Sequence, residues 1–308
     1  MGSRWRMPAA GASRVIDVLV TGGSGQVGHA LRAAALPAGW VLHAPGRDAL
    51  DLTNPEALAS AISARPWAAV VNAGAYTAVD RAETDSTTAW TVNMAAPRAL
   101  AAATAAAEIP LIQVSTDSVF AGEKPTPYFE TDQVGPLGVY GASKLGGEVA
   151  VRAINPRSVV LRTAWVVSPH GVNFVKTMLR LGEQRSHLRI VADQHGAPTT
   201  AGEIARALLV IADRMVSNRA APTGVYHFTC AGEATWCDLA RHVFAEAARA
   251  GRPEPAVESI AAADYPTPAR RPANSRLDTS RITRDFGIKP RDWREAVAET
   301  VRDLLAVR

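Results

Sequence analysis

Val18-Leu19-Val20-Thr21-Gly22-Gly23-Ser24-Gly25-Gln26-Val27-Gly28 runs from an apolar strand pattern straight into a glycine-rich turn. The turn satisfies G-x-x-G-x-x-G through Gly22, Gly25 and Gly28, and G-x-G-x-x-G through Gly23, Gly25 and Gly28. One glycine makes the tight turn, one lets backbone approach a pyrophosphate, and one lets helix and strand pack closely. The helix that follows presents free N–H groups and a positive dipole end to phosphates. A plain glycine turn is the bland alternative. With a strand before it and a helix after it, the stretch points to dinucleotide binding.

Outward from this turn, the pattern alternates. Apolar runs at 15–20, 40–44, 68–72, 110–115 and 158–162 read as strands. Amphipathic stretches at 25–35, 54–63, 87–107 and 139–153 read as helices, with Thr53 as N-cap of the second. Such alternation argues for right-handed βαβ units on a parallel sheet. After Trp165 it loosens into helices at 173–181, 203–215 and 236–250 and strands at 188–191 and 224–228. Residues 264–276 hold three prolines and read as an ordered loop. The expected fold is α/β: a Rossmann-like doubly wound parallel sheet with a smaller α/β C-terminal substrate-binding lobe. Residues 1–14 read as a disordered leader and 15–165 as an NAD(P)-binding Rossmann domain. Residues 166–308 read mainly as the smaller lobe, with some segments returning to the Rossmann core.

Composition limits the function. Of 308 residues, 47% are hydrophobic and 20% charged, enough for a sizeable core and too apolar for wholesale disorder. No apolar run approaches the ~20 residues of a membrane span. A net charge of +4, scattered along the chain, is too mild for nucleic-acid binding and suits a small anionic substrate. Two cysteines, Cys230 and Cys237, exclude a disulfide scaffold and a four-thiolate zinc site, so a reducing cytoplasm is the expected location. The seven histidines show no ligand spacing, and no catalytic metal site is expected.

Two further features carry chemistry. The second strand runs into Pro45-Gly46-Arg47, with no carboxylate at its end to hold a ribose 2′-hydroxyl. Arg47 would pair with a 2′-phosphate, which favours NADPH, while Asp48 leaves NADH open. Tyr140-Gly141-Ala142-Ser143-Lys144 places a phenol and an ammonium on one helical face. A nearby cation is expected to lower the phenol's pKa from ~10 towards working pH and make Tyr140 a proton donor to a carbonyl. Thr116, in Ser115-Thr116-Asp117 at a strand's carboxyl end, can converge with it. Arg270 and Arg271, between Pro268 and Pro272, form a candidate anion site, with an ion pair locking the loop as the alternative. Asp80 and Glu83 read as a cap or ion-pair set, and Trp236 as core.

These residues carry a resemblance. The chain resembles the extended short-chain dehydrogenase/reductases, over about residues 15–300. The glycine loop and Val139-Tyr140-Gly141-Ala142-Ser143-Lys144 fit many of them. Asn72–Asp80, Ser115-Thr116-Asp117 and Arg162-Thr163-Ala164-Trp165 also match, while Asp193-Gln194-His195-Gly196-Ala197-Pro198-Thr199 and Tyr265–Pro272 are much more specific, and together they resemble the reductases of dTDP-linked 4-keto-6-deoxyhexoses. The resemblance implies an NADPH-dependent reduction of a C4 keto group on a small dTDP-sugar. It implies that Gly22, Gly25, Gln26, Val27 and Gly28 hold the cofactor pyrophosphate, and that Asp51 and Leu52 flank adenine. Ala73, Ala75, Tyr76, Thr77 and Val114 would line the cofactor, and Lys144 would hold the nicotinamide ribose. Thr116, Tyr140 and Lys144 would be catalytic, with Thr116, Asp117 and Trp165 against the substrate. A homodimer and an Mg2+ ion at a subunit contact are compatible with it. Ser118 and Val167 stand where the family usually has tyrosines. They keep open a 4-ketoreductase for another dTDP-deoxysugar. A regulatory subunit that binds nucleotide without turnover is the non-enzyme alternative.

Overall fold

The computed structural model describes residues 15–306, and the leader expected at 1–14 lies outside the described residues. In chain order the first strands are β1 (Ile16–Thr21), β2 (Trp40–His43), β3 (Ala69–Asn72), β4 (Leu111–Thr116) and β5 (Ser158–Thr163). Next come β6 (Val166–Val167), β7 (His187–Val191), β8 (His195–Gly196) and β9 (Thr199–Thr200), then β10 (Gly224–His227), β11 (Ala234–Thr235) and β12 (Ala256–Ile260). The first six helices are α1 (Gln26–Ala33), α2 (Pro55–Ser63), α3 (Val79–Ala82), α4 (Ser86–Trp90), α5 (Ala96–Ala106) and α6 (Val139–Ile154). The rest are α7 (Phe174–Gly182), α8 (Ala201–Ser217), α9 (Trp236–Arg249), α10 (Ser280–Phe286) and α11 (Trp293–Ala306).

Six strands make one parallel sheet in the order β10-β5-β4-β3-β1-β2, as the alternating pattern predicts. Its inner strands β3, β4 and β5 are buried on both faces, which is why they read as continuous apolar runs. Val18, Val20, Val71, Ile112, Val159 and Leu161 pack with α1 and α8, and Leu19, Val70, Leu111 and Val160 with α2, α5 and α6. A third core, around Leu239, Val243, Phe244, Trp293 and Val297, joins α7, α9 and α11 to β7. The sheet's outermost strand β10 and the covering helix α8 come from beyond residue 200, so the chain leaves the platform after β5 and returns to it.

Three differences from the sequence reading stand out, the first two with a local physical cause. The side chain capping α2 belongs to Asn54, not Thr53: it accepts from Ala57 N at 3.1 Å, and Pro55 occupies the first helical turn. The helix expected at 87–107 breaks into α4, a π-helical turn Thr91–Ala95, and α5. Pro97 has no N–H to return to the Asn93 carbonyl, and Asn93's side chain is held by Tyr76, whose N–H it accepts at 2.9 Å and whose carbonyl it donates to at 3.1 Å. Finally, β12, α10 and α11 lie where the reading placed no element. The loop 264–276 is irregular, as its prolines predict, apart from isolated bridges. No helix among the described residues is long and apolar enough to cross a membrane.

Candidate active site

A cavity of about 1050 Å³ runs across the carboxyl ends of the parallel strands. It crosses the point between β1 and β3 where the chain's connections change direction, the usual ligand crevice of such sheets. There the two loops touch. A Cβ on Gly22, whose φ is +73°, would lie 2.5 Å from Gly74 Cα. Gly28 stands behind the wall, where a Cβ would meet the Gly22 carbonyl oxygen at 2.3 Å. Gly25 caps α1 with no side chain, and no acid occupies the first turn of that helix. The turn's N–H groups therefore meet the cavity unneutralised, and the residues present fit an anionic dinucleotide.

Gln26, Val27, Arg47, Asp51 and Leu52 line this end of the cavity. Arg47 Nε lies 3.8 Å from Asp51 across an exposed helical-type spacing, too loose to hold the guanidinium. Ala73, Ala75, Tyr76, Thr77 and Val114 continue the wall past β3 and β4. Tyr76 is anchored at both ends, its backbone by Asn93 and its phenol by Asp85 at 3.0 Å.

Thr116, Tyr140 and Lys144 meet on the floor. Thr116 ends β4, and Tyr140 and Lys144 lie one turn apart near the start of α6. The Tyr140 phenol faces the Thr116 side chain, whose hydroxyl donates to Asp117 Oδ1 at 2.8 Å. Lys144 Nζ is buried and donates to the Val114 carbonyl at 2.7 Å. The electrostatics correct one expectation. Burial, with the Asp117 charge beside it, pushes the Tyr140 phenol up to about 12, against the weaker effect of the neighbouring Thr116. Burial likewise pulls Lys144 down to about 8, with the Glu148 carboxylate opposing. Desolvation outweighs the help a cation one turn away gives a phenolate. Tyr140 is thus a neutral phenol that keeps its proton. Asp117 is buried and its carboxyl is raised by that burial, although Thr116, Ser275 and Ser118 all bond to it.

Beneath Lys144 lies a buried polar cluster. Glu148 takes a two-pronged contact from Arg162, with Nη2 to Oε2 at 2.7 Å, and a bond from Ser115. Thr163, paired with Thr116 across β4 and β5, carries the one buried side-chain nitrogen or oxygen without a partner among the described residues. The residue borders the cavity, but its hydroxyl oxygen is itself buried.

The far end is aromatic and cationic. Trp165 has φ 46°, a left-handed backbone that costs a bulky residue about 1–3 kcal/mol and persists only when its surroundings impose it. Its ring stacks on Trp236 at 3.6 Å and 8°. Trp236 packs against the third core, as the sequence reading has it, and also lines the cavity. Arg270 and Arg271 also line it. Arg271 donates to Asp80 at 2.7 Å and the Ala269 N–H to the same carboxylate at 3.1 Å, so this arginine ties the proline-rich loop to α3. Arg270 is exposed and has no side-chain partner among the described residues. Glu83 accepts from Val139 N at 2.9 Å and so caps α6. Asn93, Trp236, Gln194 and Glu148 were missed in the sequence. The only signal for Asn93 is a polar residue on an apolar helical face. Among the described residues no three His, Cys, Asp or Glu side chains gather to hold a metal ion.

The family model of the RmlD substrate binding domain matches residues 16–306, through the glycine loop, the floor and the far end alike. The chain belongs to the RmlD family. It is 45% identical to a dTDP-4-dehydrorhamnose reductase of Sinorhizobium fredii, over 93% of this chain and 97% of the relative. Among solved structures, this RmlD-family chain is similar to a dTDP-4-dehydrorhamnose reductase from Clostridium acetobutylicum. The TM-score is 0.87 at 34% identity, over 94% of this chain and 100% of that one. It is also similar to the Bacillus anthracis dTDP-4-dehydrorhamnose reductase in complex with NADP, with TM-score 0.85 at 27% identity over 96% and 100% of the two chains. The resemblance read from the sequence motifs is therefore borne out at the level of the family.

Proposed function

We propose that this chain reduces the C4 keto group of dTDP-4-dehydro-6-deoxy-L-mannose (dTDP-4-dehydrorhamnose) to dTDP-L-rhamnose, the last step of dTDP-rhamnose biosynthesis, with NADPH as reductant. The observation that carries this is a Thr116–Tyr140–Lys144 floor in one cavity, between a bare helix N-terminus and an aromatic, arginine-bearing end. NADPH, when bound, supplies the hydride. Gly22, Gly25, Gln26, Val27 and Gly28 hold its pyrophosphate, Arg47 its 2′-phosphate, and Asp51 and Leu52 its adenine. Ala73, Ala75, Tyr76, Thr77 and Val114 line its path, and Lys144 holds the nicotinamide ribose.

Tyr140 donates its proton to the oxygen that becomes an alkoxide as C4 gains hydride. A phenol near 12 is fully protonated at neutral pH and is still a far stronger acid than the alcohol being formed. Thr116 fixes the phenol's direction, and the buried ammonium of Lys144 stabilises the charge that develops. Asp117 and Trp165 face the sugar, and Arg270 the diphosphate. Residues 166–308 serve mainly as the substrate lobe. The two cysteines are buried free thiols, which suits the cytoplasm, and a homodimer is the proposed assembly.

The test follows NADPH absorbance with the keto-sugar made in place from dTDP-glucose by a dehydratase and an epimerase, NADH being run in parallel. NADPH loss with dTDP-L-rhamnose formed is expected. Tight NADPH binding with no turnover would overturn the proposal. Ser118 and Val167 both line the cavity, and they favour the second reading, a 4-ketoreductase for another dTDP-deoxysugar. A panel of dTDP-keto-sugars separates the two.

A further inference from the structure

The segment Asp193-Gln194-His195-Gly196 is far from the reacting groups in sequence, yet it builds the frame of the aromatic end. β8 pairs with β11, setting Gly196 against Ala234 and His195 against Thr235. That short ladder delivers Trp236, the first residue of α9, to the face of Trp165. A capping box between Thr235 and Asp238 secures the start of α9. Gln194 Oε1 accepts from the Trp236 indole N–H at 3.1 Å, and the Phe174 ring braces Trp236 with centroids 4.8 Å apart. Gly196 is there because a Cβ would lie 2.4 Å from Trp165 Cε2. Asp193 accepts from Ala262 N at 2.8 Å and ties the turn to the chain leading into the proline-rich loop.

We infer that Trp236, with Gln194 and Gly196 behind it, is a positioning residue: it holds the Trp165 indole in its left-handed backbone, flat against the sugar-nucleotide end of the cavity. The inference rests on the proposed placing of Trp165 against the sugar nucleotide. Trp165 sits between β5 and β6, and its carbonyl accepts from Thr199 N at 3.1 Å, which fixes the peptide but not the ring. Ring orientation is left to the stack and to the close edge of Gly196. Without Trp236 the indole loses a whole face of contact and is free to take other rotamers.

The experiment is a double-mutant cycle on the full chain. Binding of dTDP-L-rhamnose is measured by calorimetry, with KM, kcat and NADPH affinity alongside. Trp236→Ala is expected to weaken sugar-nucleotide binding by about tenfold or more, with NADPH affinity and kcat little changed. Trp236→Phe keeps a stacking ring and is expected to recover most of the affinity. Gly196→Ala pushes on the ring from its edge and should reproduce the Trp236→Ala effect. Trp165→Ala with Trp236→Ala should be no worse than Trp165→Ala alone, since one residue acts through the other. If Trp236→Ala fails to fold, Gln194→Ala and Gly196→Ala carry the test. Additive losses, or wild-type affinity in Trp236→Ala, would overturn the positioning role. Wild-type protein that folds and binds NADPH but not dTDP-L-rhamnose would overturn the functional reading, and this inference with it.

Discussion

Tyr140 carries the heaviest demand of any single side chain. Tyr140→Phe removes one oxygen from a half-buried ring, so it is expected to fold and bind NADPH while losing about 10²–10⁴-fold in kcat. Turnover near the wild-type level in that variant would refute its role as proton donor. Lys144 sets the pH behaviour. The phenol, near 12, keeps its proton across the working range, whereas the ammonium, near 8, loses its charge as pH rises through that value. The alkaline limb of kcat/KM is therefore expected near pH 8 and belongs to the lysine. Glu148→Gln removes the carboxylate that supports the ammonium and should move the limb to lower pH. A limb unmoved by this change would assign it elsewhere. The two arginines of the proline-rich loop divide their work. Arg270→Ala should raise KM for the sugar nucleotide with kcat little changed. Arg271→Ala should behave like Asp80→Ala, because each breaks the same 2.7 Å pair. Thermal melting alongside KM measurements separates binding from loop anchoring.

At the level of elements, α6 is the piece that has to be placed well. It begins at Val139 with no side-chain cap of its own, and Glu83 from the end of α3 supplies one. Gly138 leaves room for that carboxylate, since a Cβ there would lie 2.5 Å from its oxygen and push the Glu83 side chain aside. Glu83→Ala is expected to cost about 1 kcal/mol of stability, as lost caps do, and to lower kcat through a frayed first turn that carries Tyr140. Glu83→Gln keeps an acceptor and should keep most of both. Equal melting temperatures for wild type and Glu83→Ala would show that the cap does not matter. The π-helical turn serves the same helix from the other side. Asn93 is buried, donates to Ser143 Oγ at 3.1 Å next to Lys144, and also holds the Tyr76 backbone. Periodicity predicts a helix across this stretch and finds one. It does not reveal the extra residue, because the apolar pattern on both sides continues with only a small shift in phase.

Across the whole molecule, buried charge sets the acid limit. His227, fully buried at the end of β10, donates through Nδ1 to the Tyr128 carbonyl at 3.1 Å, and Arg162 Nη1 stands 3.4 Å from its Nε2. Burial and the Arg162 charge pull the imidazole down to about 3, far below its unfolded value near 6.5. Between those values the unfolded chain takes up a proton that the folded chain refuses. Stability is therefore lost as pH falls from about 6.5 towards 3, on the order of 5 kcal/mol at full extent. His227→Gln should flatten that slope in melts between pH 4 and pH 7 (roughly the window just derived). An unchanged slope would mean the loss lies with other groups. The parallel sheet, the glycine loop and the Tyr-x-x-x-Lys face were legible in the sequence alone, because each is written in residues a few positions apart, where the periods of strand and helix act. The remaining features come from side chains brought together by the fold. Arg271 meets Asp80 across 191 positions, and Gln194 meets Trp236 across 42. The upward shift of Tyr140 is of the same kind. A sequence shows that a lysine stands one turn away, but only the packed structure shows how far each group is withdrawn from water, and in this site desolvation is the larger effect.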